Sequence, residues 1–213
     1  PELERTSAFT FSVLLKLPAD GNGAVFARMN EDKNYRGYDF WLQNRSFGTH
    51  IVSVWPNNAL KVVSDKQLEV NKWQHVVITY DGSSKASGIK LYIDGNLVGN
   101  KVEQDSLNDS ILTESPFKIG SRSKTSHFKG ELDELRIYDR ALDVDEIKNI
   151  GGDPIKSLLA IDKKERSKEQ KMTLLNHYLN NNDDEYKRLV AIKNDLNKKK
   201  SDLLAQKKVT SMI

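Results

Sequence analysis

The chain has 213 residues, with 33 Lys and Arg against 30 Asp and Glu, a net charge of +3 and no Cys. That length supports one sizeable core with an appendage, and the absence of Cys excludes disulfides, thiolate metal sites and Cys nucleophiles. No apolar run approaches a membrane span, and no basic and apolar leader opens the chain.

The averages conceal a division near Gly152. Beyond it there is no Gly, and Tyr178 and Tyr186 are the only aromatics. Residues 153–213 carry 14 Lys and Arg against 9 Asp and Glu, whereas residues 1–152 carry 19 against 21. The Gly- and aromatic-rich part reads as β, and the Gly-free part, rich in Lys, Leu and Asn, reads as helix. Two domains are expected, residues 1–152 and residues 153–213.

Along the first part, Phe9, Phe11, Val13, Leu15 and Leu17 alternate on one face, the period of a strand with one buried side. Residues 24–27, 38–42, 49–55 and 60–63 follow as short strands. In residues 73–80, Val76, Ile78 and Tyr80 share one face, and Trp73, His75, Val77 and Thr79 the other. Residues 89–93 and 96–98 flank Asp94-Gly95, whose residue types suit the two positive φ angles of a type I′ hairpin turn. Residues 117–120 and 130–138 complete the set. About ten strands without interleaved helices predict an antiparallel two-sheet sandwich. Phe11, Val13, Leu15, Val77, Leu91 and Ile137 are expected inward. A short closing helix follows over 143–150, with Asp143 as N-cap and Glu146 at N3.

Trp73-Gln74-His75-Val76-Val77-Ile78-Thr79-Tyr80-Asp81-Gly82, Leu91-Tyr92-Ile93-Asp94-Gly95 and the run from Phe128 to Leu142 resemble laminin-G-like members of the concanavalin A-like jelly-roll superfamily. The resemblance covers residues 9–150. It implies two curved antiparallel sheets and carbohydrate or protein binding, often with structural calcium. Arg36-Gly37-Tyr38, Trp55-Pro56-Asn57-Asn58-Ala59 and residues 80–88 further resemble the laminin-G-like insert of planctomycete-type cytochrome-c-associated exported bacterial proteins. So do Glu165-Arg166-Ser167-Lys168-Glu169-Gln170 and His177-Tyr178-Leu179 in the second part. This resemblance implies a fragment of a larger multidomain protein, lacking some N-terminal strands, with a periplasmic or extracellular location.

The second part predicts three helices, over residues 153–161, 167–180 and 184–208, the second opened by the capping box Ser167-Lys168-Glu169-Gln170. Asn181-Asn182-Asp183 marks a turn. An antiparallel hairpin about it pairs Met172 with Ile192, Leu175 with Leu189, Leu179 with Tyr186 and Ile161 with Leu203. The competing reading is an intermolecular coiled coil along Leu189, Ile192, Leu196 and Leu203. Lys198-Lys199-Lys200 and Lys207-Lys208 have acids nearby and no interleaved aromatics, so they read as solvated helix surface and not as a nucleic-acid site.

Catalytic motifs are sparse. His50, His75, His127 and His177 show no metal-ligand spacing, and no P-loop, dinucleotide loop or GxSxG occurs. Glu131 and Asp133 share a strand face, but Leu135 and Arg136 stand where a further acid of a glycosidase strand is needed. Asp133 is expected on the face of Leu135 and Ile137, where an unpaired carboxylate costs several kcal/mol. It is therefore a candidate calcium ligand, or a carboxylate that fixes a loop. Trp55, next to the amide of Asn57, is a candidate sugar-stacking residue, with Arg36 and Tyr38 near it; alternatively Trp55 covers the end of the core. Trp41 and Trp73 are expected in the core. The expected function is a non-catalytic module binding carbohydrate or protein within a larger exported protein. The alternative is an accessory domain of a polysaccharide-degrading or redox enzyme whose catalytic domains lie elsewhere.

Overall fold

A computed structural model describes residues 2–151, 158–159 and 161–209. The chain divides into two compact units, residues 1–152 and 153–213. In the first, β1 (Phe9–Lys16), β6 (Gln74–Tyr80), β7 (Ile89–Ile93), β8 (Asn96–Val98) and β11 (Glu131–Tyr138) form one sheet, ordered β11-β1-β6-β7-β8. The other comprises β2 (Gly23–Asn30), β3 (Arg36–Gln43), β4 (Ser46–Val54), β5 (Asn58–Gln67), β9 (Asn100–Asp105) and β10 (Lys118–Ile119), ordered β10-β2-β3-β4-β5-β9. Neighbouring strands in both sheets run antiparallel.

The alternation seen in the sequence places the core between the sheets. Phe9, Phe11, Val13 and Leu15 of β1 and Val76, Ile78 and Tyr80 of β6 meet Phe26, Tyr38, Phe40, Phe47, Ile51 and Leu60. The Phe9 and Phe11 rings stack at 4.3 Å, and Phe26 meets Phe11 edge-on at 4.8 Å. Burial of each such side chain contributes about 1.5–3 kcal/mol before entropy. Val77 is buried on the opposite face of β6, beneath Leu142 and Ile147, where α1 (Val144–Gly151) closes the back of the five-stranded sheet. The capping box of α1 is present: Glu146 N–H donates to Asp143 Oδ1 at 2.9 Å, and Asp143 N–H to Glu146 Oε2 at 3.0 Å. Asp94 and Gly95 both have positive φ, 49° and 76°, as the hairpin requires.

One strand departs from its expected alternation. In β11 the register against β1 shifts between Ser12 and Leu14, so Glu134 and Leu135 both stand opposite Val13, and Glu134 has φ 52°. This bulge brings Leu132, Leu135 and Ile137 against the core and turns Asp133 out to solvent. Asp133 therefore does not share the face of Leu135, which corrects the expectation that it is buried.

In the second unit, α2 (Lys168–Asn182) and α3 (Asp184–Val209) are separated by Asp183 alone. The capping box of Ser167 and Gln170 opens α2, and Asp183 Oδ1 accepts from Tyr186 N–H at 2.8 Å to open α3. The expected helix over 153–161 lies almost wholly outside the described residues. The apolar pairs expected between the helices are not buried. Met172, Leu175, Leu189, Ile192 and Leu203 stay 48–66% exposed, while Leu179 and Tyr186, beside the break, are partly covered. The cause lies in the expected turn. Asn180 and Asn181 donate to the carbonyls of Asn176 and His177 one turn back, which carries α2 through that turn. One residue remains as connection, fewer than the roughly two to five of an antiparallel helical pair. Among the described residues no helix is long and apolar enough to cross a membrane.

Candidate functional site

The outer face of the six-stranded sheet carries the residues that the core does not use. Tyr38, Phe40 and Leu42 point inward from β3, so Asp39 and Trp41 point outward. Cross-strand pairing then lays Ala27, Asp39, His50, Lys61 and Gln104 in one row across β2, β3, β4, β5 and β9. Gly48 stands opposite Trp41, where a Cβ would lie 2.1 Å from the Val62 carbonyl oxygen, so position 48 admits no side chain opposite the indole.

Asp39 is fully buried and holds this row together. Its Oδ1 accepts from the backbone N–H and the Nδ1 of His50, each at 2.9 Å. Its Oδ2 accepts from Nε and Nη2 of Arg122, at 2.9 and 2.7 Å. Burial alone opposes ionisation, but the His50 and Arg122 partners prevail and hold the carboxyl well below the usual carboxylate range. Because a carboxylate only accepts, His50 carries its proton on Nδ1, and Nε2 is the other polar atom of its ring.

Around this anchor lies a cleft of about 230 Å³. Trp41 and Trp55 both meet the His50 ring in T-shaped contacts, with ring centroids 5.0 and 5.4 Å away. Lys61 Nζ lies 4.8 Å from the Trp41 ring centre and 5.8 Å from that of Trp55, and is paired with Glu103 at 2.7 Å. The Arg122 guanidinium lies 5.7 Å from the ring of Tyr35 and 5.8 Å from that of Trp41. Met29 and Val52 complete the wall.

Arg122 sits on a loop after β10 that is held by Glu31, the residue that follows β2. Glu31 accepts from Ser123 Oγ at 2.7 Å, from Thr125 N–H at 3.2 Å, and from Thr125 Oγ1 and Lys124 N–H. Partial burial works against its ionisation, but these donors lower its pKa to about 2.

Of the residues singled out in the sequence, Trp55 lines the cleft. Asn57 is exposed in the turn after it. Arg36 donates to the Ser110 carbonyl at 2.9 Å and lines a different groove with Asn34 and Leu112. Tyr38 is 1% exposed inside the core, beyond reach of a ligand, because its parity is that of Phe40. Trp41 is corrected in the opposite sense: it belongs to the outer face and lines the cleft, while Trp73 is 43% exposed just before β6. Asp133, the candidate calcium ligand, is exposed on β11. Its carboxylate accepts from the Glu134 N–H at 2.8 Å, and among the described residues no group of three or more His, Asp or Glu side chains is placed to hold a metal ion. Asp39, His50, Lys61 and Arg122 were not foreseen. The parity of β3 pointed to Asp39, but nothing local marked Arg122, 83 residues away.

Solved structures with a similar fold include the native heptameric SAP-like pentraxin from Limulus polyphemus, at 15% identity, TM-score 0.51, covering 69% of this chain and 70% of that one. The binding domain of Paraclostridial Mosquitocidal Protein 1 is 20% identical, TM-score 0.54, covering 72% of this chain and 39% of that one. The CBM40 of the Ruminococcus gnavus IT-sialidase is 16% identical, TM-score 0.55, covering 69% of this chain and 84% of that one. These likenesses concern the fold. A family model matches residues 1–148, and the chain belongs to that family, Laminin_G_3 of the concanavalin A-like lectin/glucanases superfamily.

Proposed function

We propose that residues 1–152 form a non-catalytic carbohydrate-binding module whose site is the cleft on the outer face of the six-stranded sheet. The observation that carries this is the pair of indoles, Trp41 and Trp55, set about His50 and Lys61 in one half-open cleft. An indole offers an apolar plate to the C–H face of a pyranose, and the neighbouring N–H groups serve its oxygens. The name of one similar structure, a sialidase CBM40, supports a binding role on this fold. The absence of catalysis rests on the acids. Glycoside hydrolysis needs two carboxyls at the bond, whereas the cleft is lined by none and Asp39 is enclosed by its donors. The sequence resemblance extends the proposal to a larger exported bacterial protein in which this module binds a glycan in the periplasm or outside the cell.

A glycan array followed by calorimetry on the full chain tests this reading. Trp55→Ala and Trp41→Ala are each expected to weaken binding by about tenfold or more, with melting temperature little changed for the partly exposed Trp55. Binding of no glycan, or binding indifferent to both substitutions, refutes it.

A further inference from the structure

The polar groups of the cleft are unequal in kind. Among the described residues its charged lining residues are Lys61 and Arg122, both cations, and no carboxylate lines it. The indole N–H groups of Trp41 and Trp55, the Lys61 ammonium and the Arg122 guanidinium are donors only. The Tyr35 hydroxyl both donates and accepts. A neutral pyranose carries hydroxyls that each donate as well as accept, and this wall leaves most of their protons without a partner. Buried unsatisfied donors are costly, so the wall discriminates against such a ligand. The oxygens of a carboxylate or sulfate only accept, and they match it.

Each cation is paired with one acid, Arg122 with Asp39 and Lys61 with Glu103. Asp39 has no exposed surface and takes up Nε–H and one Nη2 N–H of Arg122; Nη2 also lies 3.3 Å from His50 Nδ1, and the two N–H groups of Nη1 remain as donors for a ligand. Glu103 holds Lys61 but does not line the cleft. Both cations lie within 6 Å of the Trp41 ring centre. Trp55 supplies a second aromatic plate in contact with His50.

We infer that the cleft selects an acidic sugar residue, with a carboxylate or sulfate placed between Lys61 and Arg122 and the sugar ring packed against Trp55. The inference rests on the carbohydrate-binding reading and narrows it to anionic glycans.

Calorimetry on the full chain tests it with matched probes: lactose, sialyllactose and sulfated lactose, and trigalacturonate with its methyl ester. At least one acidic probe is expected to bind about tenfold or more tightly than its neutral counterpart, with the advantage shrinking as salt rises from about 50 to 300 mM. The sialyl and galacturonate arms report a carboxylate, and the sulfated arm a sulfate. Lys61→Gln, on the partly exposed rim, is expected to remove most of that advantage while the chain still melts cooperatively. Arg122→Lys keeps a cation against Asp39 but loses the planar fork, and is expected to reduce the advantage as well. Neutral probes that bind as tightly as acidic ones overturn the inference and leave the carbohydrate reading standing. Binding to no probe and to no arrayed glycan overturns both. An acidic preference that survives Lys61→Gln and Arg122→Lys overturns the assignment to these cations.

Discussion

Nη2 of Arg122 lies 2.7 Å from Oδ2 of Asp39, joining a loop to the outer face of the sheet across 83 positions of sequence. The pair is buried, 13% and 0% exposed at the side chains, so the two charges stabilise one another, with His50 as a further partner of Asp39. Loss of Arg122 leaves Asp39 Oδ2 without its donors, while Oδ1 keeps the two from His50. Arg122→Ala is expected to lower unfolding free energy by about 1–3 kcal/mol. Asp39→Ala together with Arg122→Ala is expected to cost clearly less than the two single losses combined. Urea denaturation of the four proteins in the cycle checks this, and simple additivity would show that the pair is not coupled.

Glu31 acts on the site through that loop. Its carboxylate gathers Ser123, Lys124 and Thr125, and it touches neither Trp41 nor His50, so it is a positioning residue. Glu31→Gln replaces charge-assisted bonds with weaker ones and is expected to speed tryptic cleavage at Arg122 or Lys124 by roughly tenfold. The pH dependence has a definite sign. A carboxyl held at about 2 against an ordinary value of 4.5 contributes its full hold above 4.5, and that contribution fades as pH falls from 4.5 toward 2. Unchanged cleavage in the variant would remove Glu31 from this role.

His75 gives the five-stranded sheet a separate acid sensitivity. It is 3% exposed, with Nε2 2.8 Å from Ser12 Oγ, and Nδ1 has no partner among the described residues. Desolvation lowers its pKa to about 4 from 6.5; Asp94 opposes the shift and Arg136 adds to it. The neutral ring is therefore the folded form. Stability is full above about 6.5 and is lost as pH falls from there toward 4, because the unfolded chain takes up the proton first. The loss is at most about 3 kcal/mol. Melting curves between these limits should flatten in His75→Gln; an identical slope would place the acid sensitivity elsewhere.

The fold was legible because its signal is local. Period-2 alternation in β1 and β6 separates Phe11 from Ser12 and Ile78 from Val77 with no knowledge of partners, and Asp94-Gly95 announces its own turn. The site was only partly legible. Trp55 stood out beside a turn, but Tyr38 and Trp41 exchanged places because an aromatic in a strand was weighed by residue type and not by the parity of Phe40. Arg122 was invisible because its meaning comes from Asp39 on a distant strand. Asp133 misled for a different reason: one extra residue at Glu134 inverts the face of everything before it, and no turn residue marks that bulge.

The two units should differ in how readily their backbones open. Phe9, Phe11, Ile78 and Phe40 have no exposed surface, and the strands that carry them are bonded on both sides within their sheets. Among the described residues α2 buries none, and Leu189, Ile192 and Leu196 of α3 are about half exposed. Opening α2 or α3 locally therefore breaks helical bonds but gives up little buried apolar area, whereas opening β1 or β6 dismantles the core. Amide hydrogen exchange on the full chain is expected to be at least about a hundredfold slower in β1, β6 and β3 than in α2 and α3. Comparable protection in α2 and α3 would mean that their leucines are covered in solution. Protection that rises with protein concentration would identify a second copy as the cover, in the manner of a coiled coil along Leu189, Ile192, Leu196 and Leu203.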